Sequence, residues 1–181
     1  MTIEHRRLDG HFTTNNRKLV GHAARFGVSA RINREFTESI AAGAFRRSLT
    51  NGTDVLGVID HDVTRLLGRT KSGTLRLRED DVGLAFEVDV PDTQQGRDIL
   101  ALAERGDLGG MSFSFRVPTG GERWNASRTE RTLTDIDLLE ISVVSSWPAY
   151  EGTSVTARAA TLTDRTALAR RAVALKLRGR T

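Results

Sequence analysis

Nucleophilic catalysis by a hydroxyl needs an alcohol, a base and a group that orients the base, and the sequence offers one of each in a distinctive setting. They are Ser112 within GGMSFSF (109–115), His61 within DHD (60–62) and Glu140 within DLLEISVV (137–144). A serine hydroxyl is a weak nucleophile near neutral pH until a base takes its proton, and an imidazole, with an ordinary pKa of about 6.5, suits that task. The imidazole in turn needs a third group to fix its tautomer and stabilise its protonated form. Glu140, flanked by Leu138, Leu139 and Ile141, itself needs a partner, because an unpaired charge among apolar neighbours is costly. Ser114 lies two positions beyond Ser112 on the same side of an alternating segment and is a rival nucleophile. Asp60, His61 and Asp62 are also metal-ligand types, but three consecutive residues at a strand end cannot all face one ion. The sequence therefore calls for no metal and no cofactor.

The elements that must position these residues are mostly strands. In 109–115 two glycines allow a turn, after which Met111, Phe113 and Phe115 alternate with Ser112 and Ser114, the pattern of a strand that packs one face. Segment 55–62 reads as a compact apolar strand ending at the charged tripeptide, with 66–70 following it. Segments 74–78 and 83–90 alternate cleanly across a turn and read as antiparallel neighbours. Pro91 and Asp92 stop that strand and open a helix, capped by Asp92 or Thr93, striped by Ile99, Leu102 and Ala103, and stopped by Gly106. It delivers the chain to the Ser112 strand. Beyond lie a turn at 118–122, an exposed strand at 124–133 and a strongly apolar strand at 135–144. Upstream, 19–26 is a strand holding His22 as a half-buried structural histidine, and 35–49 reads as a short helix and a turn, with Phe36, Ile40, Ala44 and Phe45 at helical spacing.

These elements predict a mainly β fold with flanking helices (α+β), arranged as a closed or nearly closed antiparallel barrel of about seven strands. Residues 1–18, which include His5 and His11, read as a flexible N-terminal arm, 19–157 as the barrel domain and 158–181 as a basic helical tail.

Composition removes several function classes. The chain of 181 residues fits one domain and contains no cysteine, which excludes thiol catalysis, disulfide frameworks and cysteine zinc sites. No apolar run reaches the ~18 residues of a membrane span, which argues for a soluble cytoplasmic protein. The formal net charge of +4 is concentrated at the end: residues 161–181 carry six basic side chains against Asp164, leaving 21 basic and 22 acidic residues before them. The body is not a polyanion-binding domain by charge, which argues against nucleic acid as a partner.

Four blocks in order carry a resemblance: ESIAAGAF (38–45), DHD followed by LLGRT (60–70), GGMSFSF, and LLEISVVSSWPAYEGT (138–153). Together they resemble the prohead proteases of tailed bacteriophages, capsid maturation enzymes related in fold to the herpesvirus assemblins. The resemblance implies a serine-type endopeptidase that cleaves the scaffold, or the scaffolding segment of the major capsid protein, and also itself, inside the immature prohead in the bacterial host cytoplasm. It places the family's histidine on His61, its nucleophile on Ser112 and its third member on Glu140, where assemblins have a second histidine. Oxyanion donors fall by the same analogy on backbone N–H groups near 148–150; Pro148 has none, which leaves Ala149 and Tyr150. Assemblins act as dimers, so a homodimer is an open expectation. The chain departs from the family pattern at Asp60, where many members have asparagine, and at Ser114, where many have glycine. The competing reading is a catalytically inactive assembly or scaffolding factor whose basic tail binds shell or nucleic acid.

Overall fold

A computed structural model of the chain describes residues 2–145 apart from 9–11, 16 and 33. In chain order its strands are β1 (Glu4–Leu8), β2 (Phe12–Asn15), β3 (Lys18–Arg25), β4 (Ala30–Ile32), β5 (Phe36–Ile40), β6 (Leu56–Ile59), β7 (Asp62–Arg69), β8 (Leu75–Glu79), β9 (Gly83–Asp89), β10 (Gly110–Arg116), β11 (Glu122–Trp124), β12 (Glu130–Leu133) and β13 (Asp137–Val144). Helix α1 (Arg46–Thr50) follows β5, and α2 (Gln94–Arg105) follows β9.

The mainly β expectation holds, but the closed antiparallel barrel of seven strands does not. The described strands form three open sheets: β1-β10-β13-β6-β7, β11-β12-β5-β4 and β2-β3-β9-β8. Two pairings, β13 with β6 and β12 with β5, are parallel. Alternation in a sequence reveals that a segment is a strand and which face it buries, but not its neighbour or direction. A parallel pairing reached through a long connection leaves no local signature.

The aromatic face of β10 anchors the core. Phe113 and Phe115 stack at 5.3 Å between ring centroids, Phe45 meets Phe113 edge-on at 5.8 Å, and all three are essentially unexposed. Helix α2 forms as its sequence dictates. The Thr93 hydroxyl accepts from the Gly96 N–H at 3.2 Å, Ile99 is buried, and Gly106 ends the helix with φ of 75°, a conformation that costs glycine little.

Two segments differ from expectation for physical reasons. The helix expected over 35–49 is strand β5 in its first half, and only Arg46–Thr50 is helical, beyond the turn at Gly43. The inward face of β5 carries Glu38 beside Ile40, so a charge at a core position hides the alternation. Nor do the described residues of 1–18 form a loose arm: β1 pairs antiparallel with β10 and β2 with β3. What holds β1 is a buried ion cluster. Arg6 donates to Glu38 at 2.7 Å, Arg131 donates to Glu38 at 2.9 Å and to Glu4 at 2.7 Å, and Glu38 and Arg131 are 3% and 7% exposed. Burial alone would raise the Glu4 pKa, but the Arg131 and Arg6 guanidiniums outweigh it and hold the carboxyl below its ordinary value. Such a cluster resists rearrangement, because removing one member leaves a buried charge uncompensated at a cost of about 3–5 kcal/mol.

Candidate active site

His61 occupies the two-residue turn between β6 and β7, in which Ile59 pairs with Asp62. Asp60 and His61 have φ of 52° and 60°, so both central residues are left-handed, as a mirror-image type I′ hairpin requires. Glycine or asparagine is the usual occupant of such positions, so a histidine there is held at a conformational cost. The end of β13 holds the turn in place. The Asp60 N–H donates to the Val143 carbonyl at 2.9 Å, the His61 N–H donates to the Ser142 hydroxyl at 2.9 Å, and the Asp60 carboxylate accepts from the Ser145 N–H at 2.8 Å and from Arg65 at 3.0 Å. Burial opposes ionisation of Asp60, yet the Ser145 and Arg65 donors prevail and keep its pKa below the ordinary range. His61→Gly is therefore expected to be more stable than His61→Ala by about 1 kcal/mol, since only alanine retains the left-handed penalty. Urea unfolding of the two variants measures that difference.

Strands β10 and β13 build the opposite wall. Their register sets Ser112 against Ser142 and Ser114 against Glu140, so four polar side chains form one block on one face. All four are buried, with Ser112 and Ser114 each 2% exposed. A register shift follows directly: Phe115 pairs with Leu138, and this bulge lets Leu138 join the core although it shares parity with Glu140. Gly110, with φ of 133°, makes the sharp entry into β10 that GGMSFSF suggested.

The three residues singled out in the sequence converge on this block. His61 Nε2 lies 2.7 Å from Ser112 Oγ, and His61 Nδ1 is hydrogen-bonded to Glu140 Oε1. Burial pushes the Glu140 pKa up, but the hydrogen bonds from His61 and Ser114 and the nearby imidazoles more than reverse this, so the carboxyl titrates below its ordinary value. An ionised Glu140 can only accept, so His61 carries its proton on Nδ1 and presents Nε2 as the acceptor facing Ser112. The Ser112 hydroxyl also lies 2.8 Å from the Arg6 carbonyl, so two acceptors face one proton.

Ser114, a rival nucleophile by its position in the sequence, joins the site in another role, and His5 and Ser142 join it unannounced. Ser114 Oγ donates to Glu140 Oε1 at 2.5 Å and lies 2.5 Å from His5 Nδ1 and 3.4 Å from His61 Nδ1. The rings of His5 and His61 meet edge to face at 4.7 Å between centroids. Strand parity could have pointed to Ser142, two residues beyond Glu140, but nothing local marks His5. His5, His61 and Glu140 each offer a metal-ligand type of atom, these atoms lying within 4.8 Å of one another. Ser114 Oγ stands among them, so the cluster is a hydrogen-bonded set built around a hydroxyl. His22, expected to be structural, pairs with Asp80 at 2.9 Å and pulls its pKa down to about 2 against the opposing effect of burial. Ala149 and Tyr150, the expected oxyanion donors, lie outside the described residues, as does the tail at 158–181.

A buried hydroxyl, an imidazole bridging it to a carboxylate, and a rigid strand beneath form an arrangement able to activate a hydroxyl for nucleophilic attack. The chain belongs to the Caudovirus prohead serine protease family, whose model matches residues 2–167. The bacteriophage T4 capsid assembly protease gp21 is a similar solved structure, with a TM-score of 0.49 and 11% identity, covering 81% of this chain and 96% of that one. No curated protein sequence matches the chain. Among the described residues, no helix is long and apolar enough to cross a membrane.

Proposed function

We propose that the chain is a serine endopeptidase of phage capsid maturation, with Ser112 as nucleophile, His61 as general base and Glu140 as the group that orients and charges the base. The observation that carries this reading is the two-sided engagement of His61, with Nε2 at 2.7 Å from Ser112 Oγ and Nδ1 on Glu140. Membership of the prohead protease family supports the substrate class: the scaffold, or the scaffolding segment of the major capsid protein, inside the immature prohead in the host cytoplasm. The chain's own tail is a further substrate.

The reaction is acyl transfer. The Ser112 proton turns from the Arg6 carbonyl to His61 Nε2 as Oγ attacks a peptide carbonyl, and Glu140 stabilises the imidazolium that forms. The proton then passes to the departing amine, whose C–N bond breaks. Water, deprotonated by His61, releases the acyl group and restores the serine. By family analogy the N–H groups of Ala149 and Tyr150 hold the oxyanion.

Two measurements test the reading. A fluorophosphonate should leave its adduct on Ser112 in peptide mapping; an adduct on Ser114, or none, overturns the nucleophile. Co-expression with the phage's capsid and scaffold proteins should shorten one of them. Intact partners beside a chain that does react with the probe would overturn the substrate class, and unreactive chain with intact partners would leave an assembly factor.

A further inference from the structure

We propose that His5, acting through the Ser114 hydroxyl, is a positioning residue for Glu140, and that β1 is the element that delivers it. This rests on the catalytic reading above. The direction of every proton follows from chemistry. Glu140 is ionised and accepts only, so the Ser114 proton, 2.5 Å from Oε1, points to it. The remaining lone pairs of Ser114 Oγ then face His5 Nδ1 at 2.5 Å, and a donor is needed there, so His5 carries its proton on Nδ1. The chain runs His5 to Ser114 to Glu140, and the His61 Nδ1 proton arrives at the same Oε1.

Both donors converge on one carboxylate oxygen, while Glu140 Oε2 has no hydrogen-bond partner among the described residues. The terminal torsion of a glutamate is soft, so the His61 bond alone leaves the carboxylate free to swing. The Ser114 bond fixes it, and His5 fixes Ser114. The edge-to-face contact between the two imidazoles, 80° between planes, also sets the plane of the His61 ring.

His5 is where it is because β1 has a locked register. Glu4 and Arg6 enter the buried cluster with Glu38 and Arg131, and Arg6 also lies over the Phe115 ring at 5.3 Å. Strand alternation then turns His5 to the other face, opposite Ser114. A slip of one residue would exchange the two faces and is opposed by the whole ion cluster.

The test uses the full-length chain and a fluorophosphonate, with inactivation resolved into a maximal rate and a half-saturating concentration, and thermal unfolding as the check on folding. His5→Phe should lower the maximal rate about tenfold with the half-saturating concentration unchanged, as should Ser114→Ala. The double variant should be no slower than the slower single, because the two act in series. His5→Asn, whose amide nitrogen can replace Nδ1 as donor, should stay within about threefold of the parent, whereas His5→Gln should not. Equal rates for parent and His5→Phe, multiplicative losses in the double variant, or His5→Asn as slow as His5→Gln would each overturn the proposal. If His5→Phe fails to fold, the comparison of asparagine with glutamine decides. Failure of the parent to react, or reaction of Ser112→Ala, would instead sink the catalytic reading. The positioning claim would then be read from the low-field Nδ1 proton resonance of His61, expected to shift in His5→Gln and not in His5→Asn; no shift in either overturns it.

Discussion

Ser112→Ala is expected to lower the rate of capsid or scaffold cleavage by about 10⁴- to 10⁶-fold while the protein stays folded, because among the described residues no other hydroxyl is placed to take over. Ser114 is the nearest candidate, but it faces His61 across 3.4 Å on the Nδ1 side, where the nitrogen is already committed to Glu140. The acceptor nitrogen, Nε2, faces Ser112. Removing the Ser112 hydroxyl also leaves the Arg6 carbonyl without that donor, a modest structural loss beside the chemical one. Initial rates of substrate shortening measure the effect. Retention of more than about one part in a hundred of the parent rate would place the nucleophile elsewhere.

Glu140→Gln is expected to cost about 10³- to 10⁴-fold in turnover with little change in substrate affinity. The amide still offers an oxygen to His61 and Ser114 but no longer a charge, so the imidazolium formed during attack is left unbalanced in a buried site. The amide nitrogen also has to occupy surroundings in which Oε2 finds no hydrogen-bond partner among the described residues. The same carboxyl makes a prediction about acid stability. Its folded pKa lies below the unfolded value near 4.5, so its contribution is complete above that pH and is lost as pH falls through the depressed folded value. Stability of the parent should therefore decline more steeply below about pH 4.5 than that of Glu140→Gln, as followed by urea midpoints across the acid range.

Much of the site was legible because its members sit on elements with strong local signals. The alternation of GGMSFSF, the apolar strand around Glu140 and the helix between Thr93 and Gly106 form as their sequences suggest, and His61 falls at the strand end where DHD placed it. What stayed hidden depends on non-local pairing. Glu38 is buried among arginines from β1 and β12, and a charge at a core-facing position made β5 read as helix. The parallel contacts of β5 and β6 leave no trace in any short window, so open sheets read as a barrel. Residues 4–8, polar apart from Leu8, form a strand only because β10 and the ion cluster await them, so His5 reads in the sequence as part of an arm. The role of Ser114 could not be told from that of Ser112 by parity, since both share a face.

The distances along the chain between the converging groups carry a consequence for biosynthesis. His61 and Glu140 are 79 positions apart, and Ser112 and Arg6 are 106. A nascent polypeptide that has not yet threaded β13 through the ribosome holds an alcohol and an imidazole but nothing to orient or charge the imidazole, and its turn lacks the Val143 and Ser145 anchors. If the proposed triad carries the activity, translation imposes an order in which that activity arrives only after β13 has been made. On the proposed mechanism, a chain that stops short of β13 lacks Glu140 and is expected to be inert.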